Sequence, residues 1–274
     1  MSINFDEIID RRGTSCLKYD FAVERGYPKD VLPFWVADMD FRAPVPVIDA
    51  LTARAVHGIF GYTQVKDDYF NVLRDWFRTR HVWTVQRDEL VITPGVVFAI
   101  ATAIRAYTAP NDTVIIQQPV YYPFASMIRQ NGRTLIDSPL RFADGRYSID
   151  FADFEQKIID HKVKLFVLCS PHNPVGRVWT RAELEQLAAI CLRHHVIVVA
   201  DEIHEEFVRP GFCHIPFASL SADAAAITVT CTSPSKTFNL AGLQISNIFI
   251  SDESLRRRFK EELSRTGYDE PNTL

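Results

Sequence analysis

From residue 90 onward the chain alternates short β-branched, apolar runs with stretches of helical spacing. The runs are Leu90–Thr93, Thr113–Gln117, Thr134–Ile136, Leu165–Cys169, Val196–Ala200, Ala226–Thr230 and Ile245–Ile250. Runs this uniformly apolar suit strands covered on both faces, because a strand with one wet face alternates with period two. Between them, Thr180-Arg181-Ala182-Glu183 has the spacing of a capping box, followed by Leu184, Leu187, Ala188 and Cys191 on one helical face. Asp150 or Asp153 can cap a helix carrying Phe154, Ile158 and Ile159. Strand–helix alternation implies right-handed crossovers, so the pattern predicts an α/β fold. Its centre is a seven-stranded, mainly parallel sheet sandwiched by helices, with ligands expected beyond the carboxyl ends of the strands.

The first 48 residues break this rhythm. Pro28, Pro33, Pro44 and Pro46 interrupt them, and they read as an extended arm packed on something else, with residues 49–274 forming the large domain. Leu255–Leu263 reads as a helix that Gly267, Pro271 and Asn272 bring to an end, and Thr273-Leu274 has the look of an interrupted element. Arg256-Arg257-Arg258 is expected on a solvated helix face.

Composition narrows the partners. Lys and Arg number 30 against 34 Asp and Glu, a net charge of −4, with 47% hydrophobic and 23% charged residues. This is the balance of a globular protein, and it lacks the basic excess that phosphate backbones require. No apolar run approaches the length of a membrane span, and the polar opening segment is not a signal peptide. Cys16, Cys169, Cys191, Cys213 and Cys231 form no C-x-x-C pair, which suggests reduced thiols in a cytoplasmic protein with no metal site.

Candidate chemistry sits at the strand ends. Thr93-Pro94-Gly95-Val96-Val97 opens a helix after the first run, which suits either an anion or an ordinary turn. Pro119-Val120-Tyr121-Tyr122-Pro123 offers a stacking platform or core packing, and Ser170-Pro171-His172-Asn173-Pro174 is at least a turn. The fifth run ends in Asp201-Glu202-Ile203-His204, and a carboxylate at a buried strand end needs a partner. The sixth leads into Ser233-Pro234-Ser235-Lys236-Thr237. An amine, an acid, hydroxyls and a glycine-opened helix facing one crevice meet the needs of pyridoxal 5′-phosphate, PLP.

Three segments together resemble the PLP-dependent class I/II aminotransferase superfamily of fold type I, in its cystathionine β-lyase (carbon–sulfur lyase) branch. They are Leu32–Phe41, Asp201–His204 and Ser233–Gln244. The resemblance implies that Lys236 carries the cofactor, Asp201 pairs with its ring nitrogen, Asn173 meets the ring hydroxyl and Tyr121 stacks on the ring. It places Gly95, Val96 and Val97, with Ser233 and Ser235, around the phosphate, His204 near the ring hydroxyl, and Trp35 and Tyr122 along the substrate pocket. It also implies a homodimer in which Tyr62 reaches the neighbouring subunit's phosphate. The activity implied is α,β-elimination of L-cystathionine or another cysteine S-conjugate to pyruvate, ammonia and a thiol. Gln244 and His204 follow the lyase branch, whereas Glu206 stands where that branch has aspartate. The same scaffold supports an aminotransferase, a non-catalytic regulatory protein or a truncated inactive product as alternatives. Residues 1–48 would then be half of a small domain. Its C-terminal half, with the arginine that grips the substrate carboxylate, would be missing.

Overall fold

The computed structural model describes residues 4–269. The Pro271, Asn272 and Thr273-Leu274 expectations lie outside them. Residues 4–44 contain turns but no regular helix or strand, and helix α1 (Val45–His57) then runs through residue 48 without a break. Helix α2 (Asp67–Arg80) leads to β1 (Leu90–Thr93), α3 (Val96–Tyr107), β2 (Thr113–Ile116), α4 (Pro123–Gln130) and β3 (Thr134–Asp137). A small hairpin, β4 (Arg141–Ala143) and β5 (Arg146–Ser148), precedes α5 (Phe151–His161), β6 (Leu165–Cys169), α6 (Arg181–Arg193) and β7 (Ile197–Asp201). The chain continues through α7 (Ala222–Ala226), β8 (Thr228–Thr232), α8 (Pro234–Thr237), β9 (Ser246–Phe249) and α9 (Glu253–Arg265). None of these helices is long and apolar enough to cross a membrane.

All seven predicted strands join one sheet in the order β1-β9-β8-β7-β6-β2-β3. Only β9 runs against its neighbours, pairing antiparallel with both β1 and β8. Because it is reversed, its start lies at the edge where the other strands end. Five of the seven strands shift by one or two residues at their ends, and two of these shifts have a clear bearing on the fold and site. The Ser221 side chain caps α7 by accepting from Ala224 N, and the alanines that follow stay helical, so β8 begins at Thr228 rather than Ala226. β7 extends one residue further than expected and takes in Asp201 itself.

Alternate strand residues supply the two halves of the core. Val167 and Val199 pack toward α3, α4 and α9, whereas Phe166, Leu168, Val198 and Ala200 pack toward α5, α6 and α7. Ile100 and Phe259 on one side and Phe154 and Leu184 on the other are fully buried, each worth roughly 1.5–3 kcal/mol relative to exposure. The Thr180–Glu183 capping box forms as predicted, and Asp150 rather than Asp153 caps α5.

The arginine run departs from the expectation of a solvated face. Arg256 donates to the carbonyls of Ile250 and Ser251 and pairs with Asp88 at 2.9 Å. Arg258 lies over the Tyr107 ring and donates to Ala106 O, which leaves Arg257 outward. Helix α9 packs on α3, and that contact draws two of the three guanidinium groups onto the body of the protein.

Candidate active site

The carboxyl ends of the strands surround a cavity of about 560 Å³. β1 delivers Gly95, Val96 and Val97 to it, and the loop after β2 delivers Tyr121 and Tyr122. Asn173 follows β6, Asp201 closes β7, and Ser233, Ser235 and Lys236 follow β8. His204 and Trp35 also line it, so every predicted residue except Tyr62 converges there. Tyr62 is 97% exposed and stands outside its own chain's cavity.

Asp201 forms the floor. It sits in register with Cys169 on one side and Cys231 on the other, so the three side chains share a face of the sheet. Burial pushes its carboxyl up to about 7; Glu202 adds to this, and the Ile203 N–H and Lys236 work against it. Among the described residues its hydrogen-bond donor is Ile203 N, at 3.2 Å, and no arginine or lysine pairs with it. A buried carboxylate this poorly compensated favours a cationic ligand group above it. His204 is held below its ordinary value by burial and by Lys236, so it faces the cavity as a neutral imidazole.

Helix α3 begins at Gly95, and no side chain caps it. Its first amides therefore lack partners, and they open beside the cavity with the positive end of the helix dipole. A Cβ on Gly95 would meet no protein atom within 4 Å, so the glycine leaves that approach free. Ser233 is already engaged: its hydroxyl donates to Ile245 O at 2.7 Å and accepts from Ser235 N, which caps α8. Tyr121 is half-buried between Tyr122 and Phe124, with ring centroids at 5.7 and 5.8 Å. Asn173 is fixed from beneath, its N–H donating to Cys169 Sγ at 3.4 Å. Next to it the buried His172 reaches Pro119 O at 3.0 Å and so ties the β6 loop to the β2 loop.

The sequence reading missed the residues that hold the arm against this site. Asn239, in the loop after Lys236, accepts from Met39 N at 3.0 Å and donates to the carbonyls of Met39 and Phe41 at 3.1 and 3.0 Å. It thereby binds together segments 200 residues apart. Its φ of +59° is a left-handed conformation that asparagine tolerates better than most residues. Arg25 stacks 4.5 Å above the Trp35 ring. Arg11 pairs with Asp38 and Asp40, and the Lys18 ammonium donates to Asp38 O at 2.9 Å. Asn239 falls inside the Ser233–Gln244 segment but its role is not legible there, because it acts on a segment far away in the chain, and Arg25, which acts through ring stacking, carries no local signal.

The sequence matches the model of the family "Aminotransferase class I and II" over residues 29–267. It is 48% identical over 265 residues to cystathionine beta-lyase PatB of Bacillus subtilis, covering 97% of this chain and 68% of that protein. It is 35% identical to protein MalY of Escherichia coli over 274 residues, covering 99% and 69%. Among solved structures, cystalysin from Treponema denticola, which contains a pyridoxal 5′-phosphate cofactor, superposes with a TM-score of 0.95 at 38% identity. That match covers 100% of this chain and 70% of cystalysin. The chain therefore spans about two-thirds of the length of these relatives and belongs to the class I and II aminotransferase family.

Proposed function

We propose that this protein is a PLP-dependent carbon–sulfur β-lyase acting on L-cystathionine or related cysteine S-conjugates. The observation that carries the reading is the buried, uncompensated carboxylate of Asp201 facing the same cavity as Lys236. The similarity to a cystathionine beta-lyase over nearly the whole chain supports the substrate class. Bound PLP supplies an electron-withdrawing ring that stabilises negative charge at the substrate α-carbon. The residues fit it. Asp201 would pair with the protonated ring nitrogen and gain the counter-charge it lacks. The amides of Val96 and Val97 and the Ser235 hydroxyl would hold the phosphate, with Ser233 fixing the turn that presents Ser235. Tyr121 would cover the ring, and Asn173 and His204 would serve its hydroxyl.

Lys236 Nζ would hold the cofactor and, as a free amine, would take the substrate α-proton as general base. Loss of the α-proton and of the β-thiolate would leave the enamine of pyruvate, which one water converts to pyruvate and ammonia. Trp35 and Tyr122 line the entry for the amino acid. The exposed Tyr62 serves a second copy, which makes the working unit a homodimer. Residues 1–48 act as an arm of a small domain beside the PLP-binding domain. The buried free thiols Cys16, Cys169, Cys191 and Cys231 support a reducing, cytoplasmic setting.

Pyruvate release from L-cystathionine, measured with added PLP and no keto acid, tests the reading. Wild type should produce it and Lys236→Ala should not. An amino product that appears only with a keto acid would replace the lyase with an aminotransferase. Turnover that survives Lys236→Ala would remove the lysine from the chemistry.

A further inference from the structure

Behind the Asp201 strand end, on the side away from the cavity, lies a second cluster of titratable groups that the proposed reaction does not use. His81 stands just past α2. Glu202, Glu205 and Glu206 follow β7, and His214 comes from the next loop. All five side chains are 8% exposed or less.

The cluster is short of positive charge. Arg80 pairs with Glu206 at 3.0 Å through Nε, and Trp76 Nε1 donates to the other Glu206 oxygen at 3.0 Å. Glu202 accepts from Phe217 N at 2.8 Å and lies 3.1 Å from His214 Nε2. Glu205 has no such support. Its Oε2 is buried without any hydrogen-bond partner and points toward His81 Nε2 at 4.0 Å. Three buried carboxylates, with one half-exposed arginine beside them, leave negative charge that a proton or a cation must offset.

The donors are arranged for a cation. One ligand atom each from His81, Glu205 and Glu206 lies within 4.8 Å of the others, and the same holds for Glu202, Glu205 and His214, so Glu205 is common to both triads. Metal–ligand bonds of about 2.0–2.2 Å put tetrahedral donors about 3.4 Å apart. His81 Nε2 is 2.9 Å from Glu206 Oε1 and 4.0 Å from Glu205 Oε2, on either side of that value. The two imidazoles meet edge to face at 5.4 Å, and neither Nδ1 has a partner. Each Nε2 now faces a carboxylate oxygen, Glu206 Oε1 at 2.9 Å and Glu202 Oε2 at 3.1 Å, and donates to it; a cation taking the Nε2 lone pair would leave the ring proton on the unpartnered Nδ1.

We propose that His81, Glu205 and Glu206, backed by Glu202 and His214, bind one divalent transition-metal cation of the zinc type. Mixed imidazole and carboxylate donors select this class over magnesium or calcium. The cation would join the end of α2 to the turn after β7 that carries Ile203 and His204. It would thus brace the cavity from behind without entering the chemistry. A motif search cannot find this site, because its ligands come from three separate places in the chain.

The test uses PLP-loaded protein, stripped with a chelator and titrated with Zn²⁺ against a chromogenic competitor, with melting followed in parallel. Wild type should take up one equivalent and melt at a higher temperature with zinc than with chelator. Glu205→Gln keeps the side-chain volume and removes the unpaired charge. It should therefore fold, melt in chelator at least as high as wild type, and bind zinc more weakly by at least the roughly 10–100-fold that loss of even an outer partner of a metal ligand costs. His81→Gln should weaken binding similarly and is the second variant should Glu205→Gln fail to fold. Absence of a stoichiometric equivalent, or uptake unchanged in the variants, overturns the proposal. Unchanged uptake would assign the zinc to surface groups such as the exposed Cys213. None of these readouts depends on turnover, so the outcome is independent of the lyase reading.

Discussion

Replacing Asp201 by asparagine should stabilise the cofactor-free protein while abolishing its chemistry. Burial raises the carboxyl from 3.8 to about 7. At about 1.36 kcal/mol per tenfold change in proton affinity, this displacement corresponds to about 4 kcal/mol. The sign follows from linkage. The folded chain holds a proton on Asp201 between pH 3.8 and about 7 that the unfolded chain does not. Stability from this group is therefore present at low pH and is lost as pH rises toward 7, and above that the charge carries its full desolvation penalty. The asparagine side chain carries no charge to desolvate, and its oxygen can still accept from Ile203 N. Cofactor-free Asp201→Asn should thus melt on the order of 10 °C higher than cofactor-free wild type at about pH 8. The gap should close steadily as the solution is acidified toward the ordinary carboxylate range. Thermal unfolding followed by circular dichroism across that range measures it. In the PLP-loaded protein the variant should lose this advantage, and pyruvate release should fall by orders of magnitude because the ring nitrogen has lost its anionic partner. A variant that melts no higher than wild type in mild alkali without cofactor would refute the view that Asp201 is held uncompensated.

Two further substitutions probe the supports of the site and the fold. Asn239→Gly retains the left-handed backbone at φ +59° but removes three hydrogen bonds to the arm, each worth about 1 kcal/mol, so KM should rise roughly tenfold or more while cofactor absorbance is unchanged. An unchanged KM would show that the arm is positioned without it. Thr180→Ala removes half of the α6 capping box and should lower stability by about 1 kcal/mol in denaturant melts, leaving turnover intact.

Most strands were readable because they are buried on both faces and so appear as uninterrupted apolar runs, such as Leu165–Cys169. The placement of chemistry at their ends followed from the fold rule alone. The direction of β9 was not readable, since an apolar run does not encode which way its neighbours point. The β4–β5 hairpin also escaped, although Asp144-Gly145 is a hairpin turn signal and both residues have positive φ. Three-residue strands are too short to show alternation. In the site, Asp201 and Lys236 stood out because charge at a buried strand end is rare. Asn239 and Arg25 did not, because a polar residue in a loop looks the same whether it faces water or grips a distant segment. Glu205 was hidden for a related reason. Only the folded chain shows that His81 and His214 close over it.

The arm is secured chiefly by polar ties: Arg11 to Asp38 and Asp40, Lys18 to Asp38 O, and Asn239 to Met39 and Phe41. Few of its apolar residues are buried, Cys16 and Ala22 among them. The rest of the domain is held by a dry two-sided core. The cavity wall formed by Phe34–Ala37 therefore belongs to a weaker cooperative unit than the floor that carries Asp201 and Lys236. Amide exchange should reach residues 34–41 long before it reaches β7 or β8. Salt or mild denaturant should then unlatch the substrate side of the pocket first, leaving the cofactor side assembled.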